Sequence, residues 1–112
     1  MTTVAAKNDM GPIANLQRDL DARESEAAFQ RRVVKLAIAN GWEVYHTFDP
    51  RRSAFGYPDL TLARAGVHHH WELKSMTGKL SPAQLKWATA LGGSWRCFRP
   101  ADWEEIERTL RG

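Results

Sequence analysis

Cysteine is almost absent from this sequence, since Cys97 is the single one among 112 residues. One cysteine excludes a disulfide within the chain and fits a reducing, intracellular setting. The simplest interpretation of Cys97 is a small buried hydrophobic residue in a strand. A structural zinc site needs four ligands, and neither a cysteine pair nor a second histidine pair accompanies His68–His70 to supply them.

Long apolar runs are absent as well, and no stretch of the sequence approaches the length of a membrane span. Residues 1–7, MTTVAAK, do not have the basic-then-apolar order of a signal peptide. We therefore expect a cytoplasmic protein with no membrane partner. Neither sign of charge dominates: 16 Lys and Arg against 13 Asp and Glu leave a net charge of +3. This small basic excess is compatible with a polyanionic partner such as nucleic acid.

The pattern of apolar residues predicts one α/β (α+β) domain over residues 20–112, preceded by a flexible arm over residues 1–19. Apolar residues at helical spacing indicate a first helix from about Asp21 to Ala39, which Asn40-Gly41 would end. Alternation predicts a strand over residues 42–48. The basic sequence that follows it, DPRRS, is typical of an exposed loop.

The second half of the sequence predicts a hairpin, a helix, a strand and a last helix. The strands DLTLAR and VHHHWELK flank Ala65-Gly66, a two-residue connection typical of a hairpin. Ser81, Pro82 and Gln84 form a capping box that begins a helix, and Gly92-Gly93 ends it. The strand SWRCF follows, and a final helix places Trp103, Ile106 and Leu110 on one face. The predicted order is α-β-β-β-α-β-α, with a mixed sheet flanked by helices.

The predicted hairpin brings two carboxylates together. With Ala65-Gly66 as its turn, Asp59 lies opposite Glu72, and Thr61 lies opposite His70. Directly opposed side chains of antiparallel strands are ~5 Å apart, so these two carboxylates repel each other unless a cation lies between them. Alternation places one set of residues on the core face, namely Leu60, Leu62, Val67, Trp71 and Leu73. The other face carries Asp59, Thr61, His68, His70, Glu72 and Lys74.

Two converging carboxylates suit a hard cation such as Mg²⁺, which takes oxygen ligands and keeps several waters. With Lys74 beside Glu72, such a site favours phosphodiester hydrolysis, because the metal polarises the phosphate and the lysine neutralises transition-state charge. Glu26 is a further candidate, since it lies on the apolar stripe of the first helix, where an acid needs a partner. Two interpretations of Glu26 stay open: a ligand of metal or water, and an acid that stabilises a helix N-terminus.

Several motifs in order resemble a known family. SEAAFQRRVVKLAIANGWEVYHT, GYPDLTLARAG, WELKSMTGKLSPAQLKW and WRCFRPADWEEIE together resemble the virus-type replication-repair nuclease (VRR-NUC) family of the PD-(D/E)xK superfamily. The resemblance runs from about Glu24 to Leu110 and implies a restriction-endonuclease-like core.

The resemblance also implies roles for individual residues. Asp59, Glu72 and the main-chain carbonyl of Leu73 would ligate Mg²⁺ or Mn²⁺, and Glu26 would bind a second metal or its water. Lys74 would position the nucleophile, and Gln84 would support the site or contact the phosphate backbone. No small-molecule cofactor is implied.

The implied activity is that of an endodeoxyribonuclease. Single-domain members of the family are associated with homodimers that act on branched DNA such as Holliday junctions, in DNA repair. Such a protein would be intracellular, which includes a phage protein expressed in the host cytoplasm. A catalytically idle nucleic-acid-binding module of the same fold is the alternative. A sequence-specific restriction nuclease is disfavoured, because base readout needs additional loops or domains.

The three histidines are interpreted more modestly. Neighbouring residues of a strand point to opposite faces, so only His68 and His70 share a side, and we expect His69 to pack beside Trp71 and Leu62. Aromatic residues at helical spacing usually pack, so Trp87, Trp95 and Trp103 are interpreted as core or dimer contacts. Candidate contacts to DNA are the basic and polar residues that could converge on one face, namely Arg31, His46, Arg51, Arg52, Ser53, His70, Lys79 and Lys86.

Overall fold

The structure is a computed structural model, and it describes residues 11–47 and 53–112. It is a mixed α+β fold in which helices flank a four-stranded sheet. The elements in chain order are α1 (Pro12–Arg23), α2 (Glu26–Ala39), β1 (Glu43–His46), β2 (Leu60–Arg64), β3 (Val67–Leu73), α3 (Pro82–Leu91), β4 (Trp95–Phe98) and α4 (Trp103–Arg111). Short 3-10 turns, Gly92–Ser94 and Pro100–Asp102, precede β4 and α4.

The strands lie in the order β1-β2-β3-β4. Both β1–β2 and β2–β3 are antiparallel, whereas β4 runs parallel to β3 after the crossover through α3. The hairpin turn has positive φ at both central residues, 51° at Ala65 and 82° at Gly66, as a type I′ turn requires. Leu60 pairs with Trp71 and Thr61 pairs with His70, so the predicted register is confirmed.

The core lies between one face of the sheet and the helices α2 and α4. Its members are buried apolar side chains from every layer: Phe29, Val33, Ala37, Trp42, Leu60, Leu62, Trp71, Leu73, Phe98, Ile106 and Leu110. The predicted core positions of the hairpin are confirmed except for Val67, which is 49% exposed because it lies at the turn, beyond the cover of the helices. His69 packs against Trp71 as expected, with ring centroids 5.4 Å apart.

The N-terminal part of the fold corrects two predictions. Residues 12–19, expected to belong to a flexible arm, lie in α1, while residues 1–10 are outside the described part of the chain. Pro12 is the first residue of α1, a position that suits proline because the missing N–H needs no partner there. The single helix predicted from Asp21 to Ala39 is in fact two helices. Ser25 separates them, and its hydroxyl accepts a hydrogen bond from the Ala28 N–H as the N-cap of α2.

The remaining boundaries differ little from the predicted ones. The first strand spans Glu43–His46 instead of residues 42–48, and most of the predicted basic loop, residues 49–52, lies outside the described residues. The capping box of α3 is confirmed, with Ser81 and Gln84 each bonding the other's main chain. In the part of the chain that the structure describes, no helix has the length and apolar character needed to cross a bilayer.

Candidate active site

Asp59 and Glu72 converge at the end of the hairpin farthest from its turn. Asp59 directly precedes β2, and Glu72 is the penultimate residue of β3. A main-chain hydrogen bond fixes the first carboxylate, because the Leu73 N–H donates to Asp59 Oδ2 at 2.8 Å. On the other side of Asp59, its main-chain carbonyl accepts from the Thr47 N–H at 2.9 Å. The Asp59 side chain is thereby directed across the sheet toward Glu72.

Glu72 is a buried acid, with 2% of its surface exposed. Two side chains contact its Oε2: the amide Nε2 of Gln84 donates to it at 3.2 Å, and the ammonium of Lys74 lies 3.7 Å away. Buried carboxylates are stable only when they are paired, hydrogen-bonded or bound to a metal. The structure therefore brings together four of the predicted site residues, Asp59, Glu72, Lys74 and Gln84.

The protonation of Glu72 reflects its surroundings. Burial raises the pKa of Glu72 to about 8, and the charge of Asp59 is the second cause. A hydrogen bond with Asp59, which only the protonated form of Glu72 can donate, raises this pKa further, whereas Lys74 lowers it. Burial and the contact with Asp59 therefore favour a proton shared between the two carboxyl groups. A divalent cation at the same place would replace that proton.

Glu26 lies near this pair but not where the sequence placed it. The residue is exposed in the first turn of α2, so the prediction that it lies on the core-facing stripe is wrong. Glu26 is the first residue of α2, about one turn before Phe29, which is the first buried residue of the apolar stripe. Partial burial of the Glu26 carboxyl raises its pKa, and Asp59 raises it further, while Lys74 lowers it. Because the charges of Asp59 and Lys74 both act on Glu26, this residue lies at the edge of the same cluster.

Arg99 holds the loop that follows Lys74. Its Nη1 donates to the main-chain carbonyls of Ser75 at 2.6 Å and Gly78 at 2.7 Å. Gly78 in turn packs on Lys74, because a Cβ added at Gly78 would lie 3.3 Å from the lysine Cδ. Arg99 was missed in the sequence, where the one available signal was an arginine directly after the predicted strand SWRCF. Arg99 therefore acts on Lys74 only through this loop, and we interpret it as a positioning residue.

Cys97 also lies beside the site. It pairs with Glu72 in the parallel register of β3 and β4, as a half-buried residue in a strand. Burial raises the pKa of the Cys97 thiol, so the thiol is neutral at physiological pH. Its place in a strand agrees with the simplest interpretation of the sequence.

The donor set of the site fits a hard divalent cation. Asp59 and Glu72 offer carboxylate oxygens, and the excess negative charge on the pair is the condition that a cation would relieve. In residues 11–47 and 53–112, no three His, Cys, Asp or Glu side chains come close enough to cage an ion. Mg²⁺ does not require such a cage, since it is usually bound through one or two carboxylates and keeps waters.

No family model, curated protein or solved structure gives a significant match to this chain. The resemblance to VRR-NUC nucleases therefore depends on the sequence motifs alone.

The candidate DNA contacts fall into separate groups. His46, at the end of β1, lies 2.6 Å from Gln30, as measured between its Nε2 and the amide nitrogen. The two residues line a groove of about 510 Å³ on α2 together with Arg31. His70 faces the site side of the sheet, where its Nδ1 lies 3.0 Å from the Ser94 hydroxyl.

Burial lowers the pKa of His70, which makes it a neutral hydrogen-bonding group rather than a cation at neutral pH. Lys79 and Lys86 are exposed, and Ser53 lines a pocket beside Asp59. Arg51 and Arg52 lie outside the described residues.

Proposed function

We propose that this protein is a metal-dependent DNA endonuclease of the VRR-NUC type, with a restriction-endonuclease-like core of the order α-β-β-β-α-β-α. The helix α1 precedes that core. Asp59, Glu72 and the main-chain carbonyl of Leu73 are the proposed ligands of Mg²⁺ or Mn²⁺. Glu26 binds a second metal or its water, Lys74 positions the nucleophile, and Gln84 orients Glu72.

One observation carries the proposal: a carboxylate that is 2% exposed faces a second carboxylate, with a lysine and a glutamine amide on its other side. A purely structural core would place an apolar residue at position 72, because burying an acid costs several kcal/mol unless it is compensated. The resemblance of the surrounding motifs to a nuclease family assigns the same residues to catalysis.

The chemistry follows from the charges of these groups. A bound divalent cation would polarise the phosphodiester and lower the pKa of a water. Glu72 must lose its proton to serve as a ligand, and Asp59 accepts the Leu73 N–H throughout, which keeps its carboxylate oriented. The Lys74 ammonium, 3.7 Å from Glu72, directs the attacking water and neutralises charge that develops on the phosphate. Water adds to phosphorus, and the alcohol on the opposite side leaves with a proton.

The proposed substrate is branched DNA, such as a four-way junction, cleaved by a homodimer. One active site makes one nick, whereas symmetric cutting of a junction needs two sites related by a two-fold axis. A strictly monomeric mass in solution during active junction cleavage would remove the dimer from the proposal.

The direct test is cleavage of a panel of single-stranded, duplex, flap and four-way-junction DNA with Mg²⁺, Mn²⁺, Zn²⁺ or EDTA. The proposal predicts cleavage with Mg²⁺ or Mn²⁺, none with EDTA, and a preference for branched substrates. Binding to the same panel is measured in Ca²⁺ by anisotropy. Tight binding with no cleavage under any metal would favour the idle nucleic-acid-binding module and reject the enzyme.

A further inference from the structure

A pocket of about 360 Å³ lies directly beside the proposed catalytic carboxylates. We name it the flank pocket, and its lining includes Thr47, Ser53, Phe55, Tyr57, Asp59 and Gln84. Two of these residues, Asp59 and Gln84, belong to the proposed active site. Whatever occupies the flank pocket is therefore adjacent to the reacting phosphate.

Phe55, on the rim of the pocket, is 81% exposed. Because Phe55 lines the same pocket as Asp59 and Gln84, its phenyl ring offers a flat apolar face for stacking beside the proposed catalytic site. Phe55 also lines a second cavity of about 460 Å³, together with Lys86 and Trp87. The residue is therefore shared by two cavities, one at the proposed active site and one with an ammonium group.

The loop that carries Phe55 is held by contacts to α3. The Trp87 indole N–H donates to the main-chain carbonyl of Phe55 at 3.1 Å. Gly56 approaches the main chain of Ala83 so closely that an added Cβ would lie 2.6 Å from its carbonyl carbon. Tyr57 packs edge-on against Trp87, with centroids 4.9 Å apart. These contacts hold the main chain that carries the phenyl ring before any ligand arrives, which lowers the entropic cost of ordering the loop on binding.

The geometry points to an unpaired nucleobase as the occupant of the flank pocket. Within duplex DNA each base is stacked and paired, so its faces are not available to a side chain. An unpaired base next to the scissile phosphate can stack on Phe55, while Lys86 in the neighbouring cavity meets the backbone. This inference rests on the proposed nuclease function and deepens it. The pocket would favour DNA that presents an unpaired nucleotide at the cut, as a flap does, and as a four-way junction does when a base pair at its branch point opens.

The test compares Phe55→Ala with the wild type on two forms of the preferred substrate. One form is intact, and the other has an abasic residue at one position within two nucleotides of the mapped cut. We expect one abasic position to lower the wild-type kcat/KM about 10-fold, and Phe55→Ala to lower it by a similar factor on intact DNA. On the abasic substrate, Phe55→Ala should cause no further loss, because the ring and the base act only through each other.

Three control variants separate the possible outcomes. Phe55→Trp keeps an aromatic face and should retain most activity. Val67→Ala truncates another exposed apolar side chain, at the far end of the hairpin, and should leave both substrates unaffected. Phe55 is mostly solvated, so the melting temperature of Phe55→Ala should match that of the wild type.

If the two losses multiply, or if no abasic position affects the wild type, the pocket does not hold a base and the inference is overturned. In that case the nuclease proposal would still stand if the wild type cleaves intact DNA and Glu72→Gln does not. A wild type that cleaves no DNA overturns both.

Discussion

The two ends of the β2–β3 hairpin have the same alternating sequence and opposite environments. At the turn, Val67 and His68 are exposed, and side chains on both faces of the strand meet solvent. At the other end, Trp71, Glu72 and Leu73 are all buried, so both faces are covered. The difference shows that burial by neighbouring elements, and not the strand pattern, changes the pKa of a polar side chain. At the open end His68 lies in solvent, whereas at the covered end burial raises the pKa of Glu72 to about 8.

The strongest way to sharpen this comparison is to remove the charge at the covered end. Glu72→Gln should lower the single-turnover cleavage rate on the order of 10³-fold, because it removes a proposed metal ligand and the carboxylate that Lys74 contacts in the metal-bound state of the proposal. Binding to a junction should stay within about 3-fold of the wild type, since phosphate contacts dominate affinity. Lys74→Ala should behave in the same way.

Lys79→Ala is the matched control, because this lysine is exposed, five residues further along the chain. It should keep the wild-type rate per bound complex. Loss of binding in Glu72→Gln with an unchanged rate per complex would contradict the catalytic role.

The covered end should also make stability depend on pH in the metal-free protein. The ordinary pKa of Glu72 is 4.5, and the folded protein raises it to about 8. Between these values the folded state holds more protons than the unfolded state, so the free energy of unfolding decreases as pH rises. We expect urea denaturation in EDTA to show a loss of about 2 kcal/mol or more between pH 5 and pH 8.5 in the wild type, relative to Glu72→Gln.

Added Mg²⁺ should reverse this loss at pH 8.5, because a cation stabilises the ionised form. If the free energy of unfolding varies with pH in the same way for the wild type and Glu72→Gln, burial does not raise the pKa of Glu72.

A smaller effect should follow when the loop after Lys74 loses the hydrogen bonds that hold it beside the site. Arg99→Ala removes two hydrogen bonds to the loop at Ser75 and Gly78 and should cost about 1.5 kcal/mol of unfolding free energy. Because Lys74 then loses its support, kcat should decrease about 10-fold while KM changes little. Arg99→Lys should recover part of the activity, since an ammonium reaches only one carbonyl at a time. A raised KM with an unchanged kcat would indicate a contact with DNA instead.

The smallest effect is expected at the open end. His68→Ala should change the free energy of unfolding by less than about 0.5 kcal/mol and the cleavage rate by less than about 2-fold. The reason is that an exposed side chain at a hairpin end has few partners. The thermal unfolding of both proteins, with and without Zn²⁺, checks this. A zinc-dependent rise in melting temperature that disappears in His68→Ala would restore a metal role to the histidines.

The hairpin could be predicted because its information is local. A period of two, together with a turn of two residues that tolerate positive φ, determines which side chains share a face and which are opposite. The same reasoning failed at Val67, since the pattern of a strand does not show where the covering helices end.

Contacts between distant segments could not be predicted in this way. Gln84 was recognised as a capping residue, and the resemblance suggested a place in the site, but its hydrogen bond to Glu72 depends on how α3 crosses the sheet. Arg99 likewise contacts the loop only because β4 inserts beside β3. The α1 helix was missed because its apolar residues Ile13, Leu16 and Leu20 are all exposed and do not form a core face. Glu26 was misplaced because helical spacing shows which face a residue shares and not where the covering core ends, and Glu26 lies at the exposed first turn of α2.

The close approach of Gly56 to Ala83 has a consequence for engineering. Gly56 has φ of 82° and no room for a methyl group, so every substitution there moves the loop with Phe55 away from α3. Gln84 is the next residue of that helix and the hydrogen-bond donor to Glu72. A saturation library at position 56 should thus return glycine alone under selection for activity, although this residue carries no functional group. Variants with altered substrate choice are better sought at Phe55, whose side chain is largely exposed.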